Sequence, residues 1–265
     1  MKNGLIIRSN GIKTWYVNDL KHREDGPAEE WPNGDKHWYQ HGKKYRADGP
    51  AMENANGHKV WYVNGLIHKE DGPALILADG RMSWYKNGVR HKEDGPATIF
   101  PNGDKHWYKD GKKHREDGPA VERADGYKEW FINGKLHRAD GPAVDYSDRA
   151  KFWFINGQRH REDGPAVEQT DGRIAWYFNN QRHRLGGPAL QRANGDQLWY
   201  VHGKLHREDG PAVIYADGSS EWYIDGVKQP TPSIYYAFGH KAWFLNDKYH
   251  REDGPAIEQP NGYKA

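Results

Sequence analysis

The sequence predicts an all-β fold, an elongated array of about eleven 23-residue β-hairpin units, and three observations carry that prediction. Eleven of the twelve tryptophans recur at a near-constant interval, Asx-Gly reversals fall at regular offsets from them, and glycine and proline interrupt every window of three helical turns. Trp15, Trp38, Trp61, Trp84, Trp107, Trp130, Trp153, Trp176, Trp199 and Trp222 are each 23 residues apart, Trp243 follows after 21, and Trp31 alone lies outside the series. A period that fills the chain leaves no room for a separate globular region, so residues 1–265 are expected to form a single tandem-repeat domain with an irregular unit at about 222–242. Only 35% of the residues are hydrophobic and 29% are charged, which is too lean for a thick core. Large aromatic side chains compensate in part and point to a narrow apolar seam.

One copy of the unit runs from Asp125 through Val144. Asp125-Gly126 and Asn133-Gly134 read as hairpin turns, because Asx-Gly pairs tolerate the positive φ angles of two-residue reversals. Alternation over Lys128–Ile132 places Lys128, Trp130 and Ile132 on one face and Glu129 with Phe131 on the other. Apolar residues two positions after tryptophan, such as Val17, Val63, Ile155 and Val201, make the tryptophan face the expected buried seam. Equivalent units require an even number of reversals per repeat, and there are three candidates. Either Asp140-Gly141-Pro142 is a bend between two hairpins, giving a twisted meander, or all three are corners of a solenoid. The meander is preferred because proline fixes φ and removes a ladder donor without demanding a reversal.

The period, the aromatic hairpin strand, the Asn-Gly-Lys-x-His segment as at Asn133–His137, and the closing Asp-Gly resemble the MORN (membrane occupation and recognition nexus) repeat, closest to divergent phage, giant-virus and bacterial variants. In this chain His-Arg-Glu-Asp-Gly-Pro-Ala, as at residues 22–28, 114–120 and 160–166, stands where that family has a Gly-x-Gly bend. The resemblance implies scaffolding, partner docking or, in some members, lipid contact, and no catalysis. Lipid contact is not expected here, because no unit carries a net basic surface to seek anionic lipid.

Nine histidines recur in register, from His22 to His250, with Tyr45 and Gln229 at the two remaining positions. A His beside a carboxylate could serve as a general acid or base. An active site is a unique arrangement, however, and near-identical copies are what packing requires. His and Asp are therefore expected to satisfy backbone groups at the bend, with Arg and Glu pairing on the surface. His37 with His41 and His202 with His206 are the only close pairs, and a separation of four on a strand does not converge on a metal. No catalytic residue, metal ligand or cofactor is expected.

The candidate binding face is the aromatic row that follows each tryptophan: Tyr39, Tyr62, Tyr85, Tyr108, Phe131, Phe154, Tyr177, Tyr200 and Tyr223. Tyr235 and Tyr236 join it from the irregular unit, where Pro230–Tyr236 replaces the regular motif. The expected function is a non-enzymatic repeat scaffold that binds a protein partner along this extended aromatic and charged face. A second reading is a carbohydrate- or choline-type module, since these aromatics also resemble the platforms of cell-wall-binding repeats. A third is a viral or phage antagonist that sequesters a host protein.

Lys plus Arg (39) nearly cancels Asp plus Glu (37), with the signs interspersed, so a nucleic-acid partner is not expected. The absence of cysteine excludes a disulfide framework and, with no apolar stretch in Met1–Asn10, favours a cytoplasmic location. Partial units at residues 1–10 and 259–265 leave strand edges open, from which end-to-end self-association is expected.

Overall fold

The computed structural model describes residues 1–229, 234–235, 241–245, 248–251 and 254–265, which form short strands joined by turns, bends and irregular segments, with no helix among them. The chain divides into two compact units, Met1–Lys135 and Leu136–Ala265. Each is an antiparallel meander built from two kinds of hairpin.

The first kind forms the main sheet. In the first unit Thr98 faces His106 and Ile99 faces Lys105 across one turn, Lys105–His106 pairs in turn with Val121–Glu122, and that strand pairs with Lys128–Glu129. In the second unit the same succession runs Val167–Gln169, Ile174–Ala175, Leu190–Gln191, Gln197–Leu198. The second kind is a separate two-stranded ribbon, such as Tyr108–Lys109 with Lys112–Lys113. Two hairpins supply the two reversals of each repeat, and Asp-Gly-Pro is a bend that returns the chain from ribbon to sheet. These pairings are antiparallel throughout, which selects the hairpin meander over the three-cornered solenoid.

The two turns differ in chemistry. At the ribbon turn both central residues have positive φ, as in Asn133 (50°) with Gly134 (79°) and Asn156 (51°) with Gly157 (84°). This is the two-residue type I′ reversal that Asn-Gly predicts. The sheet turn is longer. Arg123 N–H donates to Tyr127 C=O, Gly126 N–H donates to Arg123 C=O, and only Gly126 has positive φ (89°), a three-residue turn with a glycine bulge. Asp125 Oδ1 accepts the Tyr127 N–H and closes it. Reading Asp125-Gly126 as a two-residue turn is thus corrected. Asn156→Ala is expected to cost about 1 kcal/mol, because alanine is strained in the left-handed region, and a chemical denaturation midpoint would register it.

The tryptophan seam is also corrected. Beyond the first repeat, where Lys13–Val17 is one strand, the strand does not run through tryptophan: Trp107 N–H donates to Ala120 C=O at 2.8 Å, and Trp107 C=O accepts from His114 N–H at 3.2 Å. Tryptophan is the corner where the chain leaves the sheet for the ribbon, so the period-two alternation drawn across Lys128–Ile132 breaks there. The repeated tryptophans are half-buried, apart from the fully buried Trp243, while Val17 and Val63 two positions on are 46% and 43% exposed. The deepest column is the alanine that ends each bend: Ala28, Ala51, Ala74, Ala97, Ala120, Ala143, Ala166, Ala189 and Ala212 have no exposed surface at all. A methyl is all that fits where bend and sheet cross. Beside it lie the residue after that alanine and the residue before tryptophan, which in the second unit form the cluster Val167, Ala175, Leu190, Leu198 and Val213.

Candidate functional site

Among the described residues, nine bends are built around a cation held on a tryptophan ring. Arg161 lies with its guanidinium carbon 4.2 Å from the Trp153 ring centroid, donates from Nε to Asp163 at 2.9 Å, and donates from its terminal nitrogen to Pro165 C=O at 3.2 Å and Glu168 at 2.8 Å. The glycine of the bend permits this approach, since a Cβ on Gly164 would come within 2.7 Å of the guanidinium carbon. The Nε-to-Asp bond recurs for Arg23, Arg46, Arg115, Arg138 and Arg207 at 2.8–3.0 Å. In these bends the hydrogen bond from arginine, and then its charge, hold Asp25, Asp117, Asp140, Asp163 and Asp209 below the ordinary carboxyl range.

The recurring histidine joins one repeat to the next. Nδ1 of His22, His68, His91, His114, His137, His160, His183 and His206 accepts the backbone N–H of the first ribbon-turn residue nineteen positions on, at 3.0–3.3 Å. At His22, His68, His114 and His183 that N–H is the hydrogen-bond partner of Nδ1, which places the proton on Nε2, whereas at His91, His137, His160 and His206 the Oδ1 of the same turn residue also lies 2.9–3.1 Å from Nδ1. In six of the eight repeats Nε2 faces the glutamate two residues later, as in His68–Glu70 at 2.9 Å. The expectation that His serves the backbone holds, but the group it satisfies belongs to the following repeat rather than its own bend. His41 stacks on His22 with centroids 4.7 Å apart, and His202 on His183 at 4.5 Å, so the two close pairs noted in sequence point to different neighbours. No group of three or more His, Asp or Glu among the described residues has the geometry to hold a metal ion.

Burial, followed by the nearby His202, lowers the His183 pKa; burial also dominates the lowering at His37 and His106, where Lys44 and Lys113 add to it. The folded state therefore binds fewer protons than the unfolded state between the lowered values and the ordinary histidine value near 6.5. The stability these neutral rings provide is complete above the ordinary value and is lost as pH falls through that window. The thermal midpoint is expected to fall between pH 7.5 and pH 5, a range that lies above the ordinary Asp and Glu pKa values. A midpoint flat across that range would contradict it.

The aromatic row is half-buried at Tyr39, Tyr62, Tyr85, Tyr108, Phe131, Phe154, Tyr177, Tyr200 and Tyr223. Its rings alternate with the chain's own cations: Arg90 lies 5.5 Å from Tyr85 and 5.0 Å from Tyr108, and Lys21, Lys44 and Lys113 cover Tyr39, Tyr62 and Phe131 at 4.7–5.1 Å. In the second unit Tyr177, Tyr200 and Tyr223 pack against the buried cluster. The row is thus the partly exposed flank of the core. The side chain of Tyr235 and all of Tyr236 lie outside the described residues, as does most of the irregular stretch 230–240.

Grooves recur between successive bends. One of about 820 Å³ is lined by His91–Gly95, Trp107–Lys109 and His114–Asp117. A second of about 640 Å³ lies between Arg46–Pro50 and His68–Asp71, with Trp61 and Tyr62 in its wall. In the second unit one of about 750 Å³ lies between Arg138–Pro142 and His160–Asp163. Each joins aromatic rings to a rim of exposed carboxylates. Sequence reading singled out the tyrosines and passed over these grooves, because they arise from bends 23 residues apart and not from any contiguous motif.

The fold and these sites define an all-β tandem-repeat protein whose repeats are joined by histidine and clamped by arginine. No protein-family model matches the chain, and no similar curated protein was found. Among the described residues, no helix is long and apolar enough to cross a membrane.

Proposed function

We propose that this chain is a non-enzymatic repeat scaffold, MORN-like in its unit, that binds a protein partner in the cytoplasm along the face where the bends line up. The observation that carries the reading is the recurrence of one groove between the second and third, fourth and fifth, and sixth and seventh bends, each with a tryptophan in its wall and carboxylates on its rim. Small patches in register add up to an interface of useful area, which is how repeat proteins bind. The histidines support a structural assignment, since their Nδ1 atoms are engaged by backbone in eight bends.

A choline or glucan module would need open ring faces, whereas here arginine or lysine already sits 3.9–4.4 Å from the tryptophans of nine repeats. Affinity capture with the intact chain from its native cell is expected to recover a stoichiometric protein partner that Glu70→Lys with Glu116→Lys releases. Retention on a choline or glucan matrix, competed by free ligand, would contradict the reading. Tyr177→Ala with Tyr200→Ala is expected to lower stability by about 3 kcal/mol, because both rings pack on the core. Calorimetry would read this as a fall in thermal midpoint.

A further inference from the structure

We propose that the grooves beside Asp71 and Asp94 dock a basic, extended segment of a protein partner, each carboxylate receiving a guanidinium or ammonium from that segment. The inference rests on the scaffold reading and specifies the partner's chemistry.

The molecule shows at its other bends what such a carboxylate binds. At six of them an arginine donates from Nε to the bend aspartate at 2.8–3.0 Å. In the third and fourth repeats lysine replaces that arginine. Lys69 and Lys92 keep the place over the ring, 4.2 Å from the Trp61 centroid and 4.0 Å from the Trp84 centroid, but an ammonium has no fork to reach the carboxylate as well. The bend changes with it: Gly72 and Gly95 adopt φ of +125° and +122°, whereas the glycines of the arginine-clamped bends have no positive φ. Asp71 and Asp94 are exposed and, among the described residues, have neither hydrogen bond nor ion pair.

Each unclamped aspartate opens on a groove. Asp94 shares the 820 Å³ groove with Glu93, Glu116 and Asp117, and Asp71 shares the 640 Å³ groove with Asp48 and Glu70. The cations of the bends in these grooves are committed: Lys92 to Trp84, Lys69 to Trp61, Arg115 to Trp107 and Asp117, Arg46 to Trp38 and Asp48. A further unsatisfied group stands in the wall of the larger groove. The His91 side chain is only 10% exposed, and its Nε2 has no hydrogen-bond partner, Glu93 Oε1 lying 3.7 Å away. The other side of the ring is engaged, Nδ1 lying 3.1 Å from Asp110 N–H and 3.0 Å from Asp110 Oδ1, which leaves Nε2 as the unsatisfied polar atom of the ring.

Spacing narrows the partner further. Consecutive bends are two sheet strands apart, about 10 Å at the usual strand separation. Three residues of a polyproline II segment advance about 9.3 Å and bring every third side chain to one face. A segment with basic residues at every third position would therefore place successive cations on Asp71 and Asp94, and the linked contacts would reinforce one another.

The test is a fluorescence-anisotropy titration of the full chain with a labelled peptide of five Arg-Pro-Pro repeats, and with the matching Gln-Pro-Pro peptide. The arginine peptide is expected to bind and the glutamine peptide not to bind. Lys69→Arg with Lys92→Arg, which restores the clamp found at the other bends and leaves the net charge unchanged, is expected to weaken binding at least about fivefold, as is Asp71→Asn with Asp94→Asn. A circular dichroism melt confirms that each variant is folded. Equal affinity of the wild type and the Lys-to-Arg variant would show diffuse electrostatics and overturn the proposal, as would no binding of the arginine peptide. A native partner whose capture is unaffected by the Lys-to-Arg pair would overturn it while leaving the scaffold intact.

Discussion

Leu190→Ala is expected to destabilise the second unit by about 3 kcal/mol. Leu190 is 3% exposed and sits in the cluster formed with Val167, Ala175, Leu198 and Val213. It lies in a sheet strand, facing Ala175 on one neighbour and Leu198 on the other. Truncating a buried leucine removes its transfer free energy and leaves a cavity that surrounding strands close only in part. A thin sheet has few side chains that can move in, and the strands on either side are fixed by their ladders. The expected observation is a lower urea midpoint with an unchanged slope. A change below about 1 kcal/mol would show that this seam carries little of the stability.

Arg161→Ala is expected to cost about 2 kcal/mol, the second largest effect among the single substitutions. The residue contributes a stacked contact with Trp153, worth about 1 kcal/mol, and charged hydrogen bonds to Pro165 C=O and Glu168 that contribute a similar amount. Nothing is counted for its bond to the exposed Asp163. Arg161→Lys should lose much less, since Lys69 and Lys92 show that an ammonium can hold the ring position. Parallel thermal melts of the two variants would separate stacking from the fork-shaped hydrogen bonding. Equal losses in both would mean that the carboxylate and carbonyl bonds dominate.

Much of this architecture was legible in the sequence. Period, strand content, the Asn-Gly reversal and the bend character of Asp-Gly-Pro all follow from local chemistry that acts within a few residues. The depth of the tryptophans did not. Alternation assumes a straight strand, and the strand breaks at tryptophan because its N–H and C=O are both drawn into the corner, as at Trp107 with Ala120 and His114. The fully buried alanine column was missed for a related reason. Alanine carries little hydrophobic signal, and its position is fixed by the close crossing of bend and sheet. The role of histidine was half visible: repetition pointed to structure, but a bond to a turn nineteen residues on has no signature in a local motif. The grooves and the unclamped aspartates were the least visible. Their only trace is the change from Arg to Lys at Lys69 and Lys92, which reads as conservative until the clamp geometry is known.

The central claim is that the recurring histidine is a joint between repeats and not a reactive group. Nitrogen-15 NMR of the imidazoles at neutral pH tests it most directly. The account predicts the Nε2–H form with an accepting Nδ1 for His22, His68, His114 and His183, whose Nδ1 meets only the backbone N–H of the next repeat's turn. Imidazoles averaging between tautomers, or protonated at Nδ1, would contradict it and return these residues to the pool of free acid–base groups.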